Sequence, residues 1–378
     1  MGYCTQPWWP IRPGWEVRYA MSGVFLWVAA FLVGAGPAVG EGVALPPAEA
    51  EAVAAVRAVG CSVDTAGGHV VAVHTPDRPE RLTDAEMRNF ARFSEATWID
   101  LARSRVTDEG VAHLAGLGRL SCLFLNGTAV TDRGLAAVGR ITSLERLRLP
   151  NTKITDAGME HVGRLTALKD LDLRGTAVTD TGLRQVRGLT HLVMLDLRKT
   201  RITDAGLASL APLSSLSTLW LDDTRIGDAG VSHLVGLVGV RRLQLNRTAV
   251  TDAGLGRLAA MSHLQWLELG GTRVGDAGLK SLGKLRSLTR LVLDLTRVTD
   301  AGLPALKPLA ELQELGLSAT AVTDDGIQQL ASHKKLSHLH LFKTKVTYAG
   351  AQRLQGEIPA LWLVDLDFAI EGRKPVTY

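Results

Sequence analysis

Two apolar periods alternate along most of the chain, and each predicts a different element. The first is Leu-x-x-Leu-x-Leu, as in residues 168–173, and the alternation in its last part indicates a short strand with one buried face. The second follows an Asp-x-Gly sequence and has a spacing of three, as in residues 207–213, which favours a short helix with one apolar stripe. The pattern therefore predicts many short strand–helix units.

These units recur with a constant step of 24 residues. Residues 96–359 contain eleven such coils, and Asp84 belongs to a degenerate earlier copy. One strand and one helix cannot bury both faces alone, so we expect neighbouring coils to stack into a continuous core. The motif Thr-x-Val/Ile-Thr/Gly-Asp-x-Gly marks the phase, and its Asp position is occupied by Asp108, Asp132, Asp156, Asp180, Asp204, Asp228, Asp252, Asp276, Asp300, Asp324 and Tyr348.

The polar residues that link strand and helix have predictable roles. A threonine precedes most helices and is expected to cap them, and the following Asp lies at the positive end of the helix dipole. A glycine two positions later recurs in all eleven coils, at a helical position where it costs about 1 kcal/mol against alanine. We therefore expect close contact between coils there. A second threonine ladder, from Thr128 to Thr344, is expected to bond to backbone groups of neighbouring coils.

The repeat has a known counterpart. Coil 4 reads Leu168-Lys-Asp-Leu171-Asp-Leu173-Arg-Gly-Thr176-Ala-Val178, which matches L-x-x-L-x-L-x-x-N/C-x-L with threonine at the Asn/Cys position. The chain thus resembles the leucine-rich repeat family. It is similar to the cysteine-containing subclass found beside F-box domains and to exported bacterial proteins with the same repeat. The resemblance implies a right-handed α/β solenoid (a horseshoe), with a parallel β-sheet on the concave face and short α-helices on the convex face.

The first forty residues differ from the repeats. Residues 24–34 form an apolar run with Arg12 and Arg18 before it and Ala38-Val39-Gly40 after it, which is typical of an export signal. A membrane anchor formed by residues 24–34 and a chain that starts at Met21 are the alternatives. We expect an exported protein (periplasmic, cell-surface or secreted) with no membrane span once the signal is cleaved.

Four regions follow from these patterns. Residues 1–40 are expected to be the signal peptide or anchor, and residues 41–95 an N-terminal cap with a helix over 47–59, a strand at Val70–Val73 and the degenerate repeat. Residues 96–359 are the array of eleven coils, and residues 360–378 a C-terminal cap that follows a last strand near Pro359.

The positions between the strand leucines are expected to point onto the concave face in three rows. The first row is Trp98, Cys122, Arg146, Asp170, Met194, Thr218, Arg242, Trp266, Arg290, Glu314 and His338. The second row is Asp100, Phe124, Arg148, Asp172, Asp196, Trp220, Gln244, Glu268, Val292, Gly316 and His340. The third row is Ala102, Asn126, Pro150, Arg174, Arg198, Asp222, Asn246, Gly270, Asp294, Ser318 and Phe342.

Aromatic residues in the array concentrate on this face. Five of the six Phe, Trp and Tyr residues of 96–359 belong to the three rows, although a Leu/Val core does not need them for packing. Arg242, Trp266 and Arg290 should be successive neighbours with Trp220 nearby, and Trp and Arg often anchor interfaces. We interpret this group as a binding hot spot. The alternative is that the two arginines merely stack on Trp266 and cover it.

Charged and histidine side chains complete the candidate site. Arg146 should face Asp170, Arg148 should face Asp172, and Arg198 should face Asp222. These residues either pair with each other or form a docking patch. His338 and His340 lie near Glu314, but a fourth metal ligand is missing, so no metal is expected. The candidate binding residues are Trp98, Phe124, Arg146, Arg148, Asp170, Asp172, Asp196, Trp220, Arg242, Trp266, Arg290, His338, His340 and Phe342.

Composition narrows the functional class. Hydrophobic residues make up 46% and charged residues 21% of the 378 residues, which is typical of a folded chain, and the net charge of +4 is not a nucleic-acid footprint. Three cysteines exclude a disulfide scaffold. No phosphate loop or catalytic motif is present, so neither an enzyme nor a cofactor is expected.

The sequence therefore predicts a non-enzymatic scaffold that binds a protein or an extended polymer through the concave face. The favoured partner is a protein, a polysaccharide is left open, and no nucleic acid is expected. The alternatives are a substrate adaptor in protein turnover, by analogy with the F-box subclass, and an exported carbohydrate binder or enzyme.

Overall fold

The computed structural model describes residues 43–364, so the predicted signal segment and most of the C-terminal cap lie outside the described residues. Strands that follow one another in the chain are neighbours in a single open sheet of fourteen strands within that range, and every pair is parallel except β1–β2. The strands are β1 Ser62–Ala66, β2 His69–His74, β3 Trp98–Asp100, β4 Cys122–Phe124, β5 Arg146–Arg148, β6 Asp170–Asp172, β7 Met194–Asp196, β8 Thr218–Trp220, β9 Arg242–Gln244, β10 Trp266–Glu268, β11 Arg290–Val292, β12 Glu314–Gly316, β13 His338–His340 and β14 Trp362–Val364.

From β2 onward, short helical segments return the chain from each strand to the next, as expected for a right-handed α/β solenoid with helices on one face of the sheet. The α-helices are α1 Pro47–Ala58, α2 Asp84–Phe90, α3 Asp108–Ala112, α4 Asp132–Val138, α5 Asp156–Val162, α6 Asp180–Leu183, α7 Asp204–Leu207, α8 Asp228–Leu234, α9 Asp252–Leu258, α10 Asp276–Leu282, α11 Asp324–Gln328 and α12 Tyr348–Glu357. Segments of 3-10 helix occupy Pro79–Arg81, Arg184–Gly188, Ala208–Leu210, Leu303–Leu306 and Gln329–Ser332.

The core is one continuous column of aliphatic side chains. The central residue of each repeat strand, such as Leu171 or Leu267, is fully buried, and so are the helix leucines such as Leu207 and Leu210. Each coil supplies only one layer of this column, so its apolar side chains are buried by the coils before and after it. Within residues 43–364, no helix is both long enough and apolar enough to cross a bilayer.

The N-terminal end differs from the repeats. The expected helix over 47–59 is α1. Its Glu49 carboxylate accepts a hydrogen bond from the Val70 backbone N–H (3.0 Å) and lies 2.9 Å from His69 Nδ1. The strand expected at Val70–Val73 is β2. It is preceded by β1, which the sequence reading missed because Ser62–Ala66 has no apolar alternation and is mostly exposed.

The repeated Asp at the start of each helix also forms hydrogen bonds with the next coil. Asp228 Oδ1 accepts from the Thr251 backbone N–H (2.8 Å) and Oδ2 from the Thr251 hydroxyl (2.6 Å), so the carboxylate joins one coil to the next. The same pair of bonds joins Asp84 to Thr107. The expected close contact at the glycine ladder is confirmed: a Cβ on Gly254 would lie 2.4 Å from Asp228 Oδ1.

The second threonine ladder bonds differently from the expectation. Thr176 Oγ1 donates to Leu173 O at 2.6 Å, and Thr248 Oγ1 donates to Leu245 O at 2.7 Å. The prediction that these hydroxyls reach neighbouring coils is therefore wrong, because each one closes the tight turn that ends its own strand. The residue before these threonines has a positive φ, as at Gly175 (70°) and Arg247 (53°).

Candidate functional site

The strands place three rows of side chains on the face of the sheet opposite the helices, which we call the open sheet face. It consists of the residues on either side of the buried central residue of β3–β13, which is Ile99 in β3 and leucine in the others, together with the residue two positions after each strand. The predicted adjacency of Arg242, Trp266 and Arg290 is confirmed, because they are Cα partners in β9, β10 and β11. All fourteen candidate residues lie on this face.

Trp266 is held from three directions. The guanidinium carbons of Arg290 and Arg242 lie 4.5 and 5.5 Å from the indole centroid, and the indole Nε1 donates to Glu268 Oε1 at 2.8 Å. Arg290 also pairs with Glu314 at 2.7 Å. The two arginines thus stack on Trp266 as in the alternative interpretation, and the ring is fixed in one orientation.

Trp220 lies two strands from Trp266 and has its own arginine. The Arg198 guanidinium is 4.7 Å from the Trp220 ring centroid and also binds Asp196, with Nη2 to Oδ2 at 2.6 Å and Nε to Oδ1 at 3.0 Å. Asp196 is 1% exposed, so this fork-shaped pair satisfies a buried carboxylate while it presents a stacked aromatic surface.

A third aromatic group lies near the N-terminal end of the sheet. The Trp98 and Phe124 rings pack edge to face at 4.7 Å, and Arg146 and Arg148 lie 5.8 and 5.0 Å from the Trp98 and Phe124 centroids. Arg148 also pairs with Asp170 at 2.9 Å. The open sheet face therefore carries several aromatic–arginine groups rather than one.

The predicted ion pairs form with different partners. The register places Arg146 opposite Asp170 and Arg148 opposite Asp172, as expected. The ion pair that forms, however, is the diagonal one from Arg148 to Asp170, because a long side chain reaches beyond its directly facing neighbour. Arg198 binds Asp196 of its own coil instead of forming the predicted pair with Asp222.

Carboxylates at the centre of the face are crowded. Burial and the negative charge of Asp196 raise the pKa of Asp172 to about 6. Burial, and to a lesser extent Glu268, raise the pKa of Asp222 to about 6. Asp222 also accepts a hydrogen bond from the Asn246 backbone N–H at 2.8 Å. The charge of these two carboxylates therefore changes in mildly acidic solution.

His338, His340 and Glu314 lie together as expected, on β13 and β12. His340 Nε2 is 3.2 Å from Glu314 Oε1, while His338 Nδ1 lies 2.9 Å from Ser337 Oγ. Among residues 43–364, no group of three or more His, Cys, Asp and Glu side chains has the geometry of a metal site.

The C-terminal end of the face presents Phe342, which is 38% exposed, with Lys343 Nζ 5.0 Å from its ring. Sequence reasoning missed Trp362, which continues the first row beside His338 and is 73% exposed. The 24-residue step from His338 could have identified it.

Cys122, also on this face, is a buried free thiol, and burial raises its pKa, which disfavours the reactive thiolate form. Three buried polar atoms of the face have no hydrogen-bond partner among residues 43–364: Trp98 Nε1, Asn126 Oδ1 and Arg290 Nε. A buried polar atom without a hydrogen-bond partner destabilises a folded protein, so three of them on one face indicate a place where a bound partner can supply hydrogen bonds.

Comparison with known proteins agrees with this architecture. A family model described as a leucine-rich repeat region matches residues 151–375. No curated protein matches the chain.

Solved structures also share the fold. An internalin from Listeria monocytogenes is similar with a TM-score of 0.58 and 20% identity, over 86% of this chain and 96% of that one. A leucine-rich repeat protein from Leptospira interrogans has a TM-score of 0.51 and 16% identity, over 73% and 80% of the two chains. A TDR receptor has a TM-score of 0.54 and 15% identity, over 75% and 50%.

Proposed function

The chain belongs to the leucine-rich repeat family, and we propose that it is a non-enzymatic scaffold that binds a protein through the open sheet face. The observation that carries this proposal is that every aromatic ring of β3–β13 and of Phe342 has a cation stacked on it. A ring already fixed in the free protein loses little side-chain entropy when a partner packs against it.

Two features of the face fit protein recognition. Trp and Arg are enriched among residues that dominate binding energy, and here they occur together at Trp220 with Arg198 and at Trp266 with Arg242 and Arg290. The buried carboxylates between them supply a charge pattern that selects a complementary partner. The orphaned polar atoms, such as Trp98 Nε1, gain a hydrogen bond if the partner supplies one.

We further propose that the protein is exported, on the support of the apolar run at residues 24–34 and its flanking residues. In that arrangement residues 1–40 direct export, residues 41–95 and 360–378 cap the two ends, and residues 96–359 present the binding surface to proteins outside the cytoplasm.

Affinity capture tests the proposal. The full chain is used as bait in a cell-surface extract, beside the double variant Trp220→Ala/Trp266→Ala, and bound proteins are quantified by mass spectrometry. The double variant should lose the specific partner by tenfold or more, since each such anchor contributes on the order of 2 kcal/mol.

The control variant removes apolar side chains elsewhere: Val238→Ala/Tyr348→Ala changes two exposed residues, 68% and 51% exposed, outside the open sheet face. It should capture the partner as the wild type does. Equal capture by all three proteins, with melting temperatures that show all three to be folded, would contradict the proposal.

A further inference from the structure

The loop that follows each repeat strand carries a second row of side chains, away from the open sheet face. At one phase of the repeat, seven coils have a base, four have alanine and none has an acid. The alanines are Ala129, Ala177, Ala249 and Ala321. We call the seven bases the basic edge: Arg105, Lys153, Arg201, Arg225, Arg273, Arg297 and Lys345.

Backbone hydrogen bonds hold this row in register. Arg201 N donates to Val178 O at 3.0 Å, Arg225 N to Ile202 O at 3.2 Å, and Arg297 N to Val274 O at 2.8 Å, so each residue is tied to the preceding coil. Arg225, Arg273 and Arg297 also form parallel bridges to Thr203, Thr251 and Gly275 of the preceding coil. Members in neighbouring coils, Arg201 with Arg225 and Arg273 with Arg297, are therefore spaced by about 4.8 Å, as in neighbouring strands, and members separated by an alanine coil by about twice that distance. All seven are exposed.

The charge of the basic edge is not neutralised within residues 43–364. None of its seven side chains forms an ion pair or a hydrogen bond with another described residue. Arg148, Arg198 and Arg290 of the open sheet face, in contrast, each pair with a carboxylate. A file of like charges at this spacing is self-repulsive and attracts a polyanion.

A depression of about 480 Å³ lies in the middle of the basic edge. Arg225 and Arg273 line its two ends, and Ala249 lies between them in the row. Gly271, which has a φ of 68° and no side chain, and Arg247 complete it, together with Thr224 and Thr248. Two unpaired bases about 10 Å apart thus frame a gap that is open to solvent, while the third base of the lining, Arg247, forms an ion pair with Asp223.

We propose that the basic edge binds a linear anionic polysaccharide, whose acidic groups pair with the guanidinium groups while a sugar ring occupies the depression over Ala249. The guanidinium fork matches carboxylate and sulfate groups with two hydrogen bonds each. The base–alanine–base order, repeated at residues 105–153, 153–201, 225–273 and 297–345, suits a chain that has uncharged units between charged ones.

Other polyanions fit this row less well. Single-stranded nucleic acids carry a phosphate on every unit and are held by aromatic stacking as well as by charge, whereas the depression has no aromatic lining residue. An extended acidic peptide presents side chains on one face about every 6.8 Å, which does not match the spacing of the coils. The inference is independent of the protein-binding proposal, because the two surfaces share no residue.

The test measures binding of the full chain to size-defined hyaluronan oligosaccharides, in which carboxylate-bearing units alternate with uncharged ones, and to polygalacturonate, which has a carboxylate on every unit, by calorimetry over a series of salt concentrations. Hyaluronan should bind at least as tightly as polygalacturonate of the same length. Arg225→Ala/Arg273→Ala should weaken binding about tenfold and lower the salt dependence by about two counterions. The matched control Arg133→Ala/Arg257→Ala removes the same charge from exposed positions of α4 and α9 and should change affinity by less than twofold. Trp220→Ala/Trp266→Ala should also bind as the wild type does.

Three results would overturn the inference. One is the absence of binding to either polysaccharide at low salt. Another is an equal loss in the Arg133/Arg257 control, which would indicate attraction by net charge alone. The last is tighter binding to single-stranded DNA or polyglutamate of the same charge than to the polysaccharides. Neutral dextran serves as the blank.

Discussion

Asp228 accepts both of its hydrogen bonds from Thr251 of the next coil, through the backbone N–H at 2.8 Å and the hydroxyl at 2.6 Å. The same arrangement recurs along the array, and at Gly227 and Gly275 only the backbone bond is present. The carboxylate also fills the space beside the glycine ladder. Each coil thus depends on the next for a bonded carboxylate as well as for burial of its leucines.

The carboxylate and the glycine are expected to be coupled. Gly254→Ala should lower the melting temperature, because the new Cβ would lie 2.4 Å from Asp228 Oδ1. Gly256→Ala in the same helix meets only Ser281 Oγ at 3.8 Å and should stabilise the protein by up to about 1 kcal/mol. Thermal unfolding of both variants checks this, and opposite signs for the two alanines are the expected result.

A double variant tests the coupling itself. Asp228→Ala alone should cost on the order of 2 kcal/mol, because two charge-assisted hydrogen bonds are lost. In the Asp228→Ala background, Gly254→Ala should cost less than it does alone, since the oxygen with which it clashes is gone. Strictly additive effects in a double-mutant cycle would contradict this account of the glycine ladder.

The buried carboxylates predict a pH dependence. The pKa of Asp172 is about 6 in the folded protein against an ordinary value of 3.8, so the native state binds more protons than the unfolded chain between these values. This carboxylate therefore lowers stability progressively as pH rises from about 4 to about 6.

Asp172→Asn should remove the loss of stability that ionisation of the Asp172 carboxylate causes. The variant should gain on the order of 1 kcal/mol over the wild type at pH 7.5 and little at pH 4, measured as melting temperature against pH. Asp325→Asn, an exposed position in α11, is the control and should show no such trend. A melting-temperature advantage of Asp172→Asn over the wild type that shrinks as pH rises would contradict this prediction.

His333 occupies the phase that leucine, isoleucine or methionine holds in the earlier coils. It is 1% exposed, and both of its ring nitrogens face carbonyl oxygens, Nδ1 to Leu330 O at 3.2 Å and Nε2 to Leu306 O at 3.0 Å. A neutral imidazole can donate to only one of them. Backbone N–H groups of His333 and Leu309 already bond to these two oxygens.

His333→Leu should therefore stabilise the protein by about 1 kcal/mol, because it buries an apolar side chain and leaves both carbonyls bonded. His333→Ala should destabilise it through the cavity that it opens. Chemical denaturation of the two variants separates these effects, and a leucine variant less stable than the alanine variant would refute the argument.

The fold could be predicted well from the sequence, because the constant 24-residue step shows which residues occupy equivalent positions in successive coils. It placed Trp266 between Arg242 and Arg290 and predicted the close contact at Gly254. It could not show which coil a polar side chain reaches. Asp228 and Thr251 are 23 positions apart and bond, whereas Thr248 turns back to its own strand.

Side-chain length explains the errors on the open sheet face. Register alone pairs Arg148 with Asp172, but the guanidinium extends to Asp170 on the diagonal. Periodicity likewise contains no information on β1, which lies outside the repeat and has no buried apolar stripe. The 24-residue step identifies the positions of the basic edge, but only the structure shows that its members are exposed and form no ion pair with another described residue.

The most direct test of the central claim places a photo-crosslinking amino acid at Gln244, the Cα partner of Trp220 on the open sheet face, and in a second protein at Arg257 on α9. Both are exposed to the native cell-surface extract and irradiated. Our account predicts one dominant crosslinked protein from Gln244, absent from Arg257 and lost when Trp220→Ala/Trp266→Ala is combined with the probe. Crosslinking of the same protein from Arg257 and not from Gln244 would contradict it.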